Sequence, residues 1–227
     1  IYPAAALGVK LTSEYNIKTK KTILKQNYFT EHNDDITCLT ISPNRHYIAT
    51  GQTASLNEIT KATKGKGTIC IWDATNMTLL SKMSGCHQRS IVSLSFSPNN
   101  EMLVSIGQDD SYTHTVWSDA GGNWSRVTQV ASTKGDKDMV LFTTWISIDN
   151  PMVTNNSFHF ISGGGKGLNF WKLEGSNMSK KSGKFGRKYK QVPLVCAGNL
   201  KTKDGWFIIC GTSTGDLLLF DKNRDVV

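Results

Sequence analysis

The chain has 227 residues, of which 38% are hydrophobic and 19% charged, with 20 glycines and a formal charge of +8. That length can bury a substantial core, and low charge with many glycines leans toward β structure with frequent turns. No run approaches the ~18 apolar residues of a membrane-spanning helix, and the basic balance favours acidic partners, whether nucleic acid, an anionic surface or an acidic protein.

In chain order, residues 1–31 read as two strands, Ala5–Leu11 and Thr22–Phe29, joined by a polar turn through Asn16. Repetition organises the rest of the chain. The run Ile36–Ile41 alternates apolar and small polar residues, as a half-buried strand does. It is followed by Ser42-Pro43-Asn44 and by a second strand ending in Ala49-Thr50-Gly51-Gln52. The same plan returns in Ile91–Phe96, Ser97-Pro98-Asn99 and Ser105-Ile106-Gly107-Gln108. Matching the two glycines makes the second copy one residue longer.

A further strand recurs in four successive units, as Thr68–Asp73, His114–Ser118, Leu168–Lys172 and Leu217–Asp221. Its aromatic residues Trp72, Trp117, Trp171 and Phe220 are 45, 54 and 49 residues apart. A period of roughly 40–45 residues with insertions, short strands and a terminal Trp-Asp is the WD-repeat pattern. His32 and His87 stand where that pattern carries its Gly-His pair, while the third and fourth units lack the histidine.

The expected fold is therefore all-β, a partial WD-repeat β-propeller of about four blades plus flanking strands. Residues 1–31 would be the last two strands of a preceding blade, and residues 32–227 four successive blades, the last incomplete, with another outer strand starting at Arg224. Such a set would form part of a larger ring, making the remainder of its own propeller one partner. No stretch keeps a helical apolar stripe over several turns.

Longer motifs narrow the comparison. Tyr28–Leu39 with its His32-Asn33-Asp34-Asp35-Ile36, then Ile48–Gln52, a polar insertion and Ile69–Asp73, resemble the echinoderm microtubule-associated protein-like family. Leu168–Gly175 followed by Lys180–Phe185, and the opening Ala4–Val9 run, resemble its first propeller. The resemblance implies a non-enzymatic scaffold that associates with tubulin or microtubules, in the cytoplasm and cytoskeleton, the ciliary axoneme included.

The WD pattern also implies a brace in which a loop histidine, a strand Ser or Thr and the tryptophan bond to one another. Here that assigns His32, Thr50 and Trp72 in one unit, and His87 and Trp117 in the next. His32 near Asp34 and Asp35 could instead be a general base with its orienter, but no nucleophile stands in an elbow context. No catalytic residue is assigned. Gly163-Gly164-Gly165-Lys166-Gly167 misses the phosphate-loop spacing and precedes a strand, so it reads as a hairpin turn, as does Gly65-Lys66-Gly67. His46, His114 and His159 lack ligand spacing, so neither metal nor cofactor is expected. Cys38, Cys70, Cys86, Cys196 and Cys210 form no pairing pattern and suggest a reduced compartment. Among the tryptophans, Trp124 and Trp206 are expected to be partly exposed.

Basic clusters supply the candidate binding residues. Lys18, Lys20, Lys21 and Lys25 fall between the two opening strands, and Lys61, Lys64 and Lys66 in the polar insertion. The richest cluster is Lys180, Lys181, Lys184, Arg187, Lys188 and Lys190. All are read as connections, which propellers use for binding. Acidic tubulin surfaces would attract them in a salt-sensitive way. Two other readings compete: a general WD-repeat adaptor without tubulin affinity, and an RNA-binding propeller, which the shortage of aromatics among the lysines disfavours. No membrane partner is expected.

Overall fold

The computed structural model describes residues 1–54, 66–153, 157–187 and 189–227, which form eighteen strands and no helix. Strand β6 (Gly67–Asp73) shows how the sequence dictates the architecture. Successive strand side chains point to opposite faces, yet Ile69, Cys70, Ile71 and Trp72 are all 1% exposed or less. Both faces are buried, so this strand belongs to a layer with a neighbour on each side.

The strands form five antiparallel sheets in sequence order. The opening sheet is β1 (Tyr2–Ala4), β2 (Leu7–Asn16) and β3 (Lys21–Phe29). The first blade is β4 (Ile36–Ile41), β5 (Tyr47–Gln52), β6 and β7 (Leu79–His87). The second is β8 (Ile91–Phe96), β9 (Met102–Gly107), β10 (His114–Asp119) and β11 (Val127–Thr133). The third is β12 (Val140–Trp145), β13 (Phe158–Gly164), β14 (Gly167–Glu174) and β15 (Asn177–Ser182). The fourth holds β16 (Leu194–Thr202), β17 (Gly205–Thr212) and β18 (Leu217–Phe220). After it, Val226 bridges antiparallel to Phe220.

The core lies between the sheets. Phe29 of the opening sheet stacks on Trp72 at 4.7 Å, while Ile69 and Ile71 face Ile91, Leu94 and Leu103 of the second blade. Val104 and Val116 then meet Phe160 and Trp171, and Ile161 and Phe170 meet Ile208 and Phe220. First strands lie side by side along the series, and Thr37 Oγ1 donates to Ile91 O at 2.6 Å across two of them. Each pairing of a first strand with its second carries a β-bulge near its start.

Up-and-down pairing sorts the connections into two ends. The β1–β2, β5–β6, β9–β10, β13–β14 and β17–β18 turns share one end with the links between blades, and the other turns between paired strands, β2–β3 among them, occupy the opposite end.

The structure corrects three expectations. Residues 1–31 hold three strands, because Ala5, at φ 51°, turns Tyr2–Ala4 back onto Leu7–Val9; β2 runs on to Asn16, and the turn lies beyond it. The second copy is not longer. Leu39 pairs with Thr50 and Leu94 with Ser105, so Gly107 takes the place of Gln52, not of Gly51. Trp124 is fully buried against Phe96 and donates to Asn100 O at 3.2 Å. Trp206 is partly exposed, with the Lys201 ammonium over its ring.

Candidate partner-binding surface and the buried networks

In the first blade, Trp72 Nε1 donates to Thr50 Oγ1 at 3.1 Å, and His32 Nε2 lies 2.7 Å from the same oxygen. His32 Nδ1 meets Gln52 Oε1 at 2.7 Å. Since that amide oxygen only accepts, Nδ1 carries the proton and Nε2 accepts from Thr50. Both ring nitrogens are occupied, and Asp34 is turned to the Asp35 amide. Gln52, not Asp34 or Asp35, therefore orients the imidazole. Burial lowers the His32 pKa, the Gln52 bond acting against it and the Lys82 charge with it.

The second blade repeats the arrangement through Ser105. Trp117 Nε1 donates to its hydroxyl at 2.9 Å, and His87 Nε2 is 2.7 Å away. With Gly107 where the first blade has Gln52, His87 Nδ1 has no partner among the described residues. A Cβ at Gly107 would sit 2.3 Å from that ring. Burial holds the His87 pKa at about 4.

Sequence reading missed the third network. Trp171 Nε1 donates to Ser162 Oγ at 2.8 Å, and the imidazole 3.0 Å from that oxygen belongs to His114 of β10, in the preceding blade. His114 Nδ1 donates to Tyr112 O at 2.7 Å, and burial holds its pKa at about 4. The position four residues before Val140, matching His32 before Ile36, is Asp136. Asp136 accepts from Asn169 at 2.5 Å and pairs with Lys180. Burial pulls this carboxyl upward, but the Lys180 ammonium pulls it further down, below the usual carboxylate range. The fourth blade shows no such network among the described residues: Phe220 lacks an N–H, and Cys210 stands at the register position where Thr50, Ser105 and Ser162 supply the hydroxyl.

Other tempting motifs prove local. Gly163–Gly167 is the β13–β14 hairpin, closed by Gly164 opposite Gly167 at φ 95°. Gly65 lies outside the described residues. His46 is exposed on a turn, His114 is buried, and His159 bonds Ser157. Among the described residues no three His, Cys, Asp or Glu side chains gather as a metal site. The five cysteines are unpaired, and burial pushes the Cys70 and Cys210 thiols up to about 12.

The candidate lysines divide by environment. Lys180 and Lys181 are not in a connection; they lie on β15, the outer strand of its blade, opposite Trp171 and Phe170. Gly175, at φ 58°, makes the turn into this strand, whose open edge tolerates lysine. Lys180 is committed to Asp136 and to the Trp171 ring, and Lys184 pairs with Asp225 at 3.4 Å. Lys66, Lys181, Arg187 and Lys190 are exposed and make no ion pair among the described residues. Lys66, Lys184, Arg187 and Lys190 share the β5–β6 end, whereas Lys18 and Lys20 turn at the opposite end. Lys61, Lys64 and Lys188 lie outside the described residues.

Radially successive antiparallel sheets joined in this way define a β-propeller of WD type. The propeller domain of Cps50 (Swd1) from Myceliophteria thermophila superposes with a TM-score of 0.60 at 16% identity, covering 84% of this chain and 53% of its own. That likeness carries the fold alone.

The model of the echinoderm microtubule-associated protein first β-propeller matches residues 25–227, and the chain belongs to this family. It is 28% identical over 202 residues to echinoderm microtubule-associated protein-like 2 of Rattus norvegicus, covering 87% of this chain and 28% of that one. Against echinoderm microtubule-associated protein-like 1 of Homo sapiens it is 29% identical, over 88% of this chain and 23% of the relative. The 77 kDa echinoderm microtubule-associated protein of Strongylocentrotus purpuratus is 29% identical over 213 residues, 92% of this chain and 28% of that protein. The chain thus spans about a quarter of the relatives' length.

Proposed function

We propose that this chain is a non-enzymatic propeller module of the cytoplasmic cytoskeleton that binds microtubules or tubulin through cations on its outer surface. The observation that carries the reading is a segregation within a family whose relatives are named for microtubule association. The histidines of the three networks are buried and engaged in packing, while Lys66, Lys181, Arg187 and Lys190 stand exposed without ion partners among the described residues. Unpaired exposed cations attract an acidic surface over a Debye length of about 8 Å at physiological salt. Contacts of shape would then fix the position. The axoneme of cilia is one setting for such a surface.

Co-sedimentation with taxol-stabilised microtubules across a salt series tests the proposal. The chain is expected to pellet at low ionic strength and to be released steeply as salt rises. A chain that stays in the supernatant at every salt concentration while recovering a non-tubulin partner would be a general adaptor instead.

A further inference from the structure

Beyond the basic connections, the third and fourth blades enclose a groove of about 410 Å³ at the end carrying the β14–β15 turn. Its walls hold Lys172 and Lys181 from the third blade and Lys222 and Arg224 from the turn after β18. Strand pairing explains the convergence. Phe170 is opposite Lys181, Lys172 opposite Ser179 and His159 opposite Lys172, so these side chains share the sheet face that looks toward the fourth blade.

The charge of this groove is one-sided. Glu174, its one lining carboxylate among the described residues, is taken by Lys172 at 2.6 Å. Lys181, Lys222 and Arg224 make no ion pair among the described residues, and Arg224 Nε is buried with no hydrogen-bond partner there. The Arg224 backbone is held in the left-handed region at φ 68°; its amide donates to Asp221 O, and its carbonyl accepts from the Lys184 amide at 2.7 Å. Burial, reinforced by the Lys172 charge, lowers the His159 pKa. Val226 bridges antiparallel to Phe220, and Val227 N donates to Leu219 O.

We infer that this groove seats an extended glutamate-rich peptide, with carboxylates paired to Lys181, Lys222 and Arg224 and side-chain methylenes lying along Met152. The inference rests on the microtubule reading above, shares Lys181 with it, and extends the contact for an acidic partner into the cleft. Charge complementarity selects the occupant, since three unpaired cations in a cleft oppose a single carboxylate already engaged. Nucleic acid fits less well, because a base needs an open aromatic face, whereas Phe170 and Trp171 are 6% and 2% exposed.

Fluorescence anisotropy of a labelled glutamate decapeptide with the full chain tests this assignment. Lys181→Glu combined with Lys222→Glu is expected to weaken binding about tenfold or more, and Lys181→Gln with Lys222→Gln by an intermediate factor. Lys18→Glu with Lys20→Glu, on the opening sheet, should leave affinity unchanged. Equal affinity in the groove variants, equal competition by inorganic phosphate, or preference for an oligouridylate of the same charge would overturn the groove assignment. The microtubule reading fails separately, if the unaltered chain does not pellet whatever the peptide does.

Discussion

The first and third blades bury the same trio of imidazole, hydroxyl and indole, but they assemble it differently. In the first, His32 comes from the connection just before the blade and is locked by Gln52. In the third, that slot holds Asp136, and β10 of the neighbouring blade lends His114 to Ser162. What packing conserves is therefore a neutral ring nitrogen beside a strand hydroxyl, not a histidine at a fixed place in each repeat. Lending the ring across the gap also ties two sheets together by a hydrogen bond, where elsewhere apolar contacts dominate.

The sharpest way to break this comparison is to remove the shared hydroxyl. Ser162→Ala would leave His114 Nε2 and Trp171 Nε1 buried and unpaired, and denaturant unfolding should show a loss of about 2–5 kcal/mol. Thr212→Ala in the fourth blade strands no indole and should cost only about 1 kcal/mol. Equal losses at the two sites would remove any special role for the network.

Acid should act through the same rings. Unfolded histidines take up protons near pH 6.5, whereas burial holds His87 and His114 at about 4. The unfolded state binds more protons in that window, so stability is whole above pH 6.5, falls as pH drops toward about 4, and then levels. Each ring contributes up to about 3 kcal/mol to the fall. Thermal melts of His114→Gln should show a shallower slope than the unaltered chain; an unchanged slope would mean that His114 titrates freely in the fold.

A smaller effect separates the first two blades. Gln52→Ala would leave His32 Nδ1 without its acceptor, as Gly107 already leaves His87, and should cost about 1–2 kcal/mol. Smallest of all, Lys181→Glu with Arg187→Glu and Lys190→Glu should shift stability by less than about 0.5 kcal/mol per site, since exposed charges add little to folding. A cooperative loss of structure in that variant would place these cations in the fold itself.

Much of the architecture was legible because propeller physics is repetitive. Alternation in Ile36–Ile41 and Ile91–Phe96, the Ser-Pro-Asn turns and the spacing of Trp72, Trp117 and Trp171 all follow from strands buried between like neighbours. Register was harder. Gly51 and Gly107 match as residue types, but cross-strand pairing, which sets which side chains meet, aligns Thr50 with Ser105. Counting from Ile36 and Ile91 would have found the match. His114 could not be found by looking within its own unit, because its partner lies 48 residues onward in another sheet. Lys180 and Lys181 read as loop because an outer strand with one wet edge needs no apolar pattern. Trp124 read as exposed because only its tertiary setting against Phe96 buries it.

The central claim is that buried networks hold the blades while surface cations do the binding, so the two can be separated. Microtubule co-sedimentation and thermal melting of the Lys181→Glu, Arg187→Glu, Lys190→Glu chain test it together. The account predicts a marked loss of pelleting at moderate salt with the melting temperature unchanged. Pelleting equal to that of the unaltered chain, or a loss that occurs only where the fold itself melts, would contradict it.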